Sequence, residues 1–327
     1  MKILIIRFSS FGDIVQAMGV LGPIMSSHSG TQIDWVCRQD MRSFLEGQPH
    51  ISKLWIFDRK LGLKGLWSLS GELFSENYTH LYDAHSSLRS LWLRIFLWLR
   101  GFRGEVIIRS KERWRRFLLF KLRRNTFENP YKGVNSYLAP LIKWNIKGEA
   151  THLKFQGQIQ IDRLDEKICL VPSAAWEMKR WPLQSWKELI TLLPNEKFVV
   201  LGGPEDQFCE ELAAVAPERV ENFAGKLNLK ESSLAVQAAK LCISADTGLL
   251  HIADHTGTPA IALIGPTAFG FPYFSQTRVM EIELPCRPCT KDGRGHCSQA
   301  VYKRCLVEIT PVAVAQKARE ILTNSNS

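Results

Sequence analysis

The chain has 327 residues, is 45% hydrophobic and carries a formal net charge of +10. That length exceeds what one hydrophobic core usually fills, which argues for two domains. The lack of any apolar run of about 18 residues or more excludes a spanning helix. The opening MKILIIRFSS has no small-residue cleavage site, so a cytoplasmic protein is expected, its eight cysteines reduced or holding metal. The charge is uneven: residues 1–160 hold 24 Lys+Arg against 12 Asp+Glu, and residues 161–327 hold 18 against 20. A basic half predicts an anionic partner, or else a surface kept charged for solubility.

In chain order, KILIIR (Lys2 to Arg7), QIDWVC (Gln32 to Cys37), KLWIFD (Lys53 to Asp58), HLYDA (His80 to Ala84) and EVIIR (Glu105 to Arg109) predict short buried strands. Helix-length segments separate them, which is the pattern of a parallel sheet. A polar stretch around Gly148 to Asp165 predicts a linker. A second series follows: KICLVP (Lys167 to Pro172), KFVVLGG (Lys197 to Gly203), KLCIS (Lys240 to Ser244) and TPAIALIG (Thr258 to Gly265). Two doubly wound domains facing a cleft are the simplest architecture, with ligands at the carboxyl ends of the strands.

Several motifs stand at those ends. Ser9-Ser10-Phe11-Gly12-Asp13 follows the first strand. Asp13 there is either a helix cap, favoured by the dipole, or a chemical base. Glu177-Met178-Lys179-Arg180-Trp181-Pro182 opens a helix in the second half. A lysine at that end opposes the dipole, so Lys179 needs an anion or free solvent. Ser244 to Thr267, SADTGLLHIADHTGTPAIALIGPT, puts Asp246, Thr247 and Gly248 at a helix start, with His251 one turn on. Backbone N–H groups in such a step suit phosphate; the alternative is an ordinary capped turn. No GxGxxG or GxxxxGK[ST] motif is present.

Two further regions carry chemistry. Residues 89–124 mix Arg with Trp, Phe and Leu, which suits an anionic lipid surface; the alternative is packed helices with Arg on the wet face. Nucleic acid would explain the charge equally well, but no nucleic-acid motif supports it. In CRPCTKDGRGHCSQAVYKRC, the thiols Cys286, Cys289, Cys297 and Cys305 are candidates for a structural Zn²⁺, with His296 as a substitute ligand; the alternative is free thiols in a loop. Cys37, Cys169, Cys209 and Cys242 lie in apolar segments and predict core positions.

These motifs together resemble the ADP-heptose:lipopolysaccharide heptosyltransferases, glycosyltransferase family 9, of GT-B fold. SSFGD, KRWP, LGGPED, SADTGLLHIA with its GPT partner and the closing EITP follow in that order over nearly the whole chain. The resemblance implies two Rossmann-like domains, residues 1–160 for the acceptor and 161–327 for the nucleotide sugar. The final helix has the option of packing back on the first domain. It implies an inverting enzyme with Asp13 as catalytic base and Lys179 facing the donor phosphates. Asp246, Thr247, Gly248 and His251 would hold the ADP-sugar. Ser173 would supply a hydroxyl to the donor, and Glu205 or Asp206 would bind its ribose. Ser10, Gly12 and Arg89 would meet the acceptor, a phosphorylated and lipid-linked core sugar at the inner face of the inner membrane. The sequence departs from one branch of the family at Ala174, Ala175 and Leu227. Without a D-x-D motif, no metal on the diphosphate is expected, nor any catalytic cofactor. Closure of the two domains would exclude water. The departures keep a different nucleotide sugar open as the donor. The basic half alone would also fit a non-catalytic protein that binds anionic lipid or nucleic acid.

Overall fold

A computed structural model describes residues 1–324. Two compact units are each built on one parallel sheet: residues 1–113 with 134–156, and residues 114–133 with 157 onward.

The first unit contains β1 (Lys2–Ile6), β2 (Gln32–Arg38), β3 (Lys53–Phe57), β4 (His80–Asp83) and β5 (Glu105–Ile108), in the order β3-β2-β1-β4-β5. Every pairing is parallel. Ile3, Leu4, Ile5 and Ile6 are all fully buried. Both faces of the sheet are therefore covered, which is why the strand reads as an unbroken apolar run. Leu4 and Ile6 share a core with Leu66, Leu69 and Leu73 of the helix Gly62–Ser75 and with Leu93 and Leu97 of the helix Leu88–Leu99. The second of these helices starts at a reciprocal capping box between Ser87 and Ser90. Its outer side is apolar too, with Leu91, Trp92, Trp98 and Leu99 exposed. Exposed apolar side chains gathered on one helix mark an interaction surface.

The second unit contains β6 (Lys167–Val171), β7 (Lys197–Val200), β8 (Val220–Asn222), β9 (Leu241–Ala245), β10 (Ala260–Leu263) and β11 (Thr277–Met280), in the order β11-β10-β9-β6-β7-β8, all parallel. Ile168, Leu170, Ile243 and Leu263 pack with Trp186, Leu189 and Ile190 of the helix Leu183–Leu192. Val314, Ala315 and Ala318 of the helix Pro311–Asn324 join the same core. The apolar stripe of this last helix is thus buried in the core of the second unit. Cys37, Cys169, Cys209 and Cys242 are buried, as their apolar surroundings require.

The division between units falls at 156/157 rather than 160/161, and residues 114–133 go with the second unit. The physical reason is aromatic. Leu119, Phe127 and Tyr131 form a core cluster with Phe269 packed against it, and Phe120, Phe127 and Tyr131 all meet the Phe269 ring edge to face. Arg116 lies over the same ring at 4.3 Å, while Arg115 lies over Phe127 and donates to Thr126. These two arginines of the basic stretch 89–124 are thus engaged within their own unit. Trp114, Phe117 and Leu122 of the helix Arg113–Leu122 remain exposed. The segment also walls a cavity of about 600 Å³, lined by Arg123, Phe127, Tyr131, Phe269 and Arg287 among others. Among the described residues no helix is long and apolar enough to cross a membrane.

Candidate active site

Strand order reverses between β1 and β4 in the first unit and between β6 and β9 in the second. In doubly wound sheets, ligands bind beside such switch points, at the carboxyl ends of the strands. The segments leaving β1 and β4 carry Asp13 and His85; those leaving β6 and β9 carry Ser173 and Asp246.

In the first unit Asp13 sits in the first turn of the helix Phe11–Met18, but its carboxylate makes its bonds to side chains. Oδ2 lies 2.5 Å from the buried Arg7 guanidinium and accepts from the Ser10 hydroxyl at 2.8 Å. Oδ1 accepts from the Tyr137 hydroxyl at 3.2 Å. Asp13 is therefore not a helix cap. Arg109 donates to the Tyr137 oxygen at 3.0 Å and stacks on its ring at 3.7 Å. An arginine can only donate, so the Tyr137 proton is left to point at Asp13. Burial pushes the Asp13 carboxyl up. The Arg7 cation, the Ser10 hydroxyl, Arg109 and Tyr137 outweigh it and hold the group at about 2. Its side chain is nevertheless 42% exposed, so the carboxylate is both ionised and reachable. Burial, above all, pushes Tyr137 up to about 12, which keeps it a proton donor.

Asp83, at the end of β4, is fully buried, takes the His85 and Ser86 N–H groups on one oxygen and lies 3.0 Å from Arg94 on the other. Its turn sets the start of the helix that carries Arg89, which is exposed. Gly12 lies in the helix beside Asp13. Sequence reasoning missed Arg7, Arg109 and Tyr137. Two of them directly follow strand ends, where the switch-point rule directs attention; Tyr137 carried no signal.

In the second unit Lys179 Nζ lies 3.1 Å from Asp246 Oδ2, and the Thr267 hydroxyl donates to the same oxygen at 2.5 Å. The anion that Lys179 needs is thus Asp246. Burial raises the Asp246 carboxyl, but Lys179, Thr267 and His251 outweigh it, so the group stays below its usual range. Thr247 caps the helix Gly248–Thr256 by accepting the Leu249 N–H at 3.2 Å. His251 is buried in that helix. Gly270 has a steric role: a Cβ there would sit 2.2 Å from the Asp246 carboxyl carbon.

Ser173 and Asp206 are brought together differently from expectation. The Ser173 hydroxyl donates to Asp206 Oδ2, the Gly203 N–H reaches the same oxygen at 2.8 Å, and Arg180 lies 3.2 Å from Oδ1. This lock ties the loops after β6 and β7, so both residues are engaged with each other. Glu205 is exposed beside them.

The four clustered cysteines do not fit a bound zinc. Among the described residues no three His, Cys, Asp or Glu side chains gather to hold a metal. Cys305 belongs to the apolar core of the second sheet, and burial pushes its thiol up to about 11. Cys289 Sγ contacts Pro266 O, and Cys297 Sγ accepts the Lys303 N–H. The loop is instead fastened to the Gly265-Pro266-Thr267 turn. Cys289 and Thr290 N–H donate to Pro266 O, and Arg287 donates to Gly265 O at 2.7 Å.

Comparison with known proteins identifies the family. The sequence model of glycosyltransferase family 9 (heptosyltransferase) matches residues 66–299. The lipopolysaccharide core heptosyltransferase OpsX of Haemophilus influenzae is 25% identical over 270 residues, covering 79% of this chain and 77% of its own. The lipopolysaccharide heptosyltransferase 2 of Escherichia coli is 24% identical and covers 98% of this chain and 99% of its own. The structure of the E. coli ADP-heptose lps heptosyltransferase II has a TM-score of 0.78 at 19% identity, over 100% of both chains. The chain belongs to glycosyltransferase family 9, has the GT-B type of fold and is a glycosyltransferase, which removes the reading as a non-catalytic binding protein.

Proposed function

We propose that this member of glycosyltransferase family 9 is a lipopolysaccharide heptosyltransferase that moves heptose from ADP-heptose to a core sugar with inversion, Asp13 acting as general base. The relatives named above support the substrate class. The observation that carries the mechanism is the environment of Asp13. A carboxylate offers about four acceptor positions. Arg7, Ser10 and Tyr137 fill three, which leaves one for the acceptor hydroxyl.

In the proposed step the acceptor oxygen attacks the anomeric carbon as its proton passes to Asp13. The bond from that carbon to the β-phosphate oxygen breaks, and ADP leaves with the electron pair. A carboxylate held at about 2 is ionised at any working pH but is a weak base, so proton transfer is driven by bond formation rather than preceding it. On the donor side, Lys179 and the N–H groups at the start of the helix Gly248–Thr256 would stabilise the charge growing on the β-phosphate. Asp246, pinned by Thr267, would orient Lys179 for that task.

The outer face of the helix Leu88–Leu99, with Trp92 and Trp98 exposed and Arg103 beside Trp98, supports attachment to the cytoplasmic face of the inner membrane. One observation favours a second reading of the donor. With Ser173 engaged by Asp206, and Ala174 and Ala175 lacking hydroxyls, this loop offers few side-chain donors, which leaves a different nucleotide sugar as the alternative. Incubating the protein with lipopolysaccharide core acceptor and ADP-heptose, in parallel with other nucleotide sugars, tests both. Heptose appearing in the product supports the first reading, and transfer of another sugar alone supports the second.

A further inference from the structure

The segment after β11, residues 285–303, is attached to both halves of the Lys179–Asp246 pair. Near its start the Cys289 and Thr290 N–H groups donate to Pro266 O, and Thr290 forms a single β-bridge with Thr267. Thr267 is the residue whose hydroxyl donates to Asp246. At its end the segment reaches the short helical turn Glu177–Lys179. Lys303 Nζ donates to Arg180 O at 3.1 Å and to Glu177 O at 3.3 Å, and it pairs with the Glu177 carboxylate. The Tyr302 hydroxyl donates to the other oxygen of that carboxylate. The two carbonyls that Lys303 grips bracket Met178 and Lys179.

Lys303 is an expensive residue to place here. Its side chain is only 10% exposed, and a buried ammonium group is tolerated when its three protons are accepted. All three acceptors belong to the turn that carries Lys179. The lysine itself is anchored from below: its N–H donates to Cys297 Sγ, and the following Cys305 and Leu306 are buried in the core of the second sheet. The middle of the segment adds a wall. Gly293, at φ +94°, lies along the Lys179 stem, where a Cβ would sit 2.7 Å from Lys179 Cγ and Cδ and 3.0 Å from Trp176 Cβ. The Gly293 N–H is fixed by the Thr290 hydroxyl at 2.6 Å. Lys179 thus has its backbone clamped and its stem confined, with its ammonium group 3.1 Å from Asp246. Holding a long side chain in one place before the ligand arrives lowers the entropy cost of binding there.

We infer that Lys303 is a positioning residue of the transfer reaction: with Gly293 it holds Lys179 opposite Asp246, in the place from which Lys179 meets the leaving diphosphate. The inference rests on the reading of Lys179 as a ligand of the donor phosphates. Lys303 touches no substrate in this role and acts through Lys179.

The test is a set of double-mutant cycles on the full chain, read by calorimetry with ADP. Lys303→Met and Gly293→Ala should each weaken ADP binding roughly 10-fold. Neither should cost anything further in a Lys179→Met background, because the group they position is gone. A general loss of stability would act equally in both backgrounds. Glu177→Gln loosens the same clamp from its exposed end and stands in for Lys303→Met if that variant does not fold. Charge alone predicts that removing this carboxylate strengthens binding of an anion, whereas the clamp predicts roughly threefold weakening. Lys197→Met, which removes an exposed charge at the amino end of β7, should bind ADP like wild type. The inference is overturned if the folded clamp variants bind ADP as tightly as wild type, or if their losses persist undiminished in Lys179→Met. If Lys179→Met itself binds ADP like wild type, the donor role of Lys179 is refuted, and hydrogen exchange then judges the clamp by itself. The Lys179 and Arg180 N–H groups, which donate to Trp176 O and Glu177 O, should exchange roughly 10-fold faster in Lys303→Met or, in its place, Glu177→Gln; unchanged exchange overturns the clamp as well.

Discussion

Asp13→Asn tests the proposed base against the structural role of the residue. Asparagine keeps the shape and one acceptor oxygen but loses the charge. Arg7, only 5% exposed, then loses its counter-ion and keeps its bond to Ala84 O at 3.0 Å. Breaking a fully buried pair costs about 3–5 kcal/mol. Here the acidic partner is 42% exposed and already partly solvated, so a loss nearer about 1–2 kcal/mol is expected. Turnover should fall far more, by roughly 10²- to 10⁴-fold, the usual contribution of a positioned base. ADP affinity should hold, because the proposed donor ligands all lie in the second unit. The assay is ADP release at saturating donor and acceptor, beside calorimetry with ADP and a urea titration. Turnover within threefold of wild type would refute the base assignment. The pH profile supplies a second check. The folded value of about 2 lies below the ordinary 3.8, so the carboxylate's stabilising contribution is complete above pH 3.8 and is lost as pH falls toward 2. Accordingly kcat/KM should show no acid limb from this group above about pH 3. A limb from Asp13 near pH 5 would mean that the Arg7 pair is not formed in the free enzyme.

Other outcomes follow from the same geometry. Gly270→Ala drives a methyl group into the Asp246 carboxylate, so donor affinity should fall roughly 10-fold, read by ADP calorimetry; unchanged affinity would remove Asp246 from the donor site. Asp206→Ala removes the anchor of Ser173, Gly203 and Arg180 and should lower stability by about 3 kcal/mol in urea unfolding, whereas a surface role predicts almost no change. Asp254 is pushed up to about 6, chiefly by burial, despite N–H donors from Tyr273 and Phe274. Its stabilising contribution is full below pH 3.8 and disappears as pH rises through 6, and Asp254→Asn should flatten that slope; an unaltered stability–pH curve would contradict it. Replacing Trp92 and Trp98 together by Ser should weaken co-sedimentation with anionic vesicles by roughly 10-fold or more while leaving the melting temperature nearly unchanged; equal pelleting would refute the membrane face.

The sequence alone determined what depends on neighbours along the chain. β1, β6, β7, β9 and β10 are buried along nearly their whole length, so each is a largely apolar run that can be read locally. SSFGD and SADTGLLH could be found because each follows such a run, and their order carried the family. The two strands it missed, β8 and β11, are short edge strands, Val-Glu-Asn and Thr-Arg-Val-Met, whose side chains are mostly half-exposed and show no apolar run. Tertiary structure decided everything set by strand order. Arg7 meets Ala84, 77 residues away, and Tyr137 meets Asp13, 124 residues away, because β1 and β4 are neighbours in the sheet. Whether Asp13 caps its helix or bonds distant side chains was therefore not decidable from its own segment. Residues 114–133 read as a basic amphipathic stretch of the first half. They belong to the second unit because Phe127 and Tyr131 find Phe269, and an aromatic contact across that sequence distance leaves no local trace. The cysteines show the same limit. Spacing made the four thiols candidates for zinc, with free thiols as the alternative, but Cys305 packs with Leu306 and Ile309 into the core, where burial pushes its thiol up to about 11.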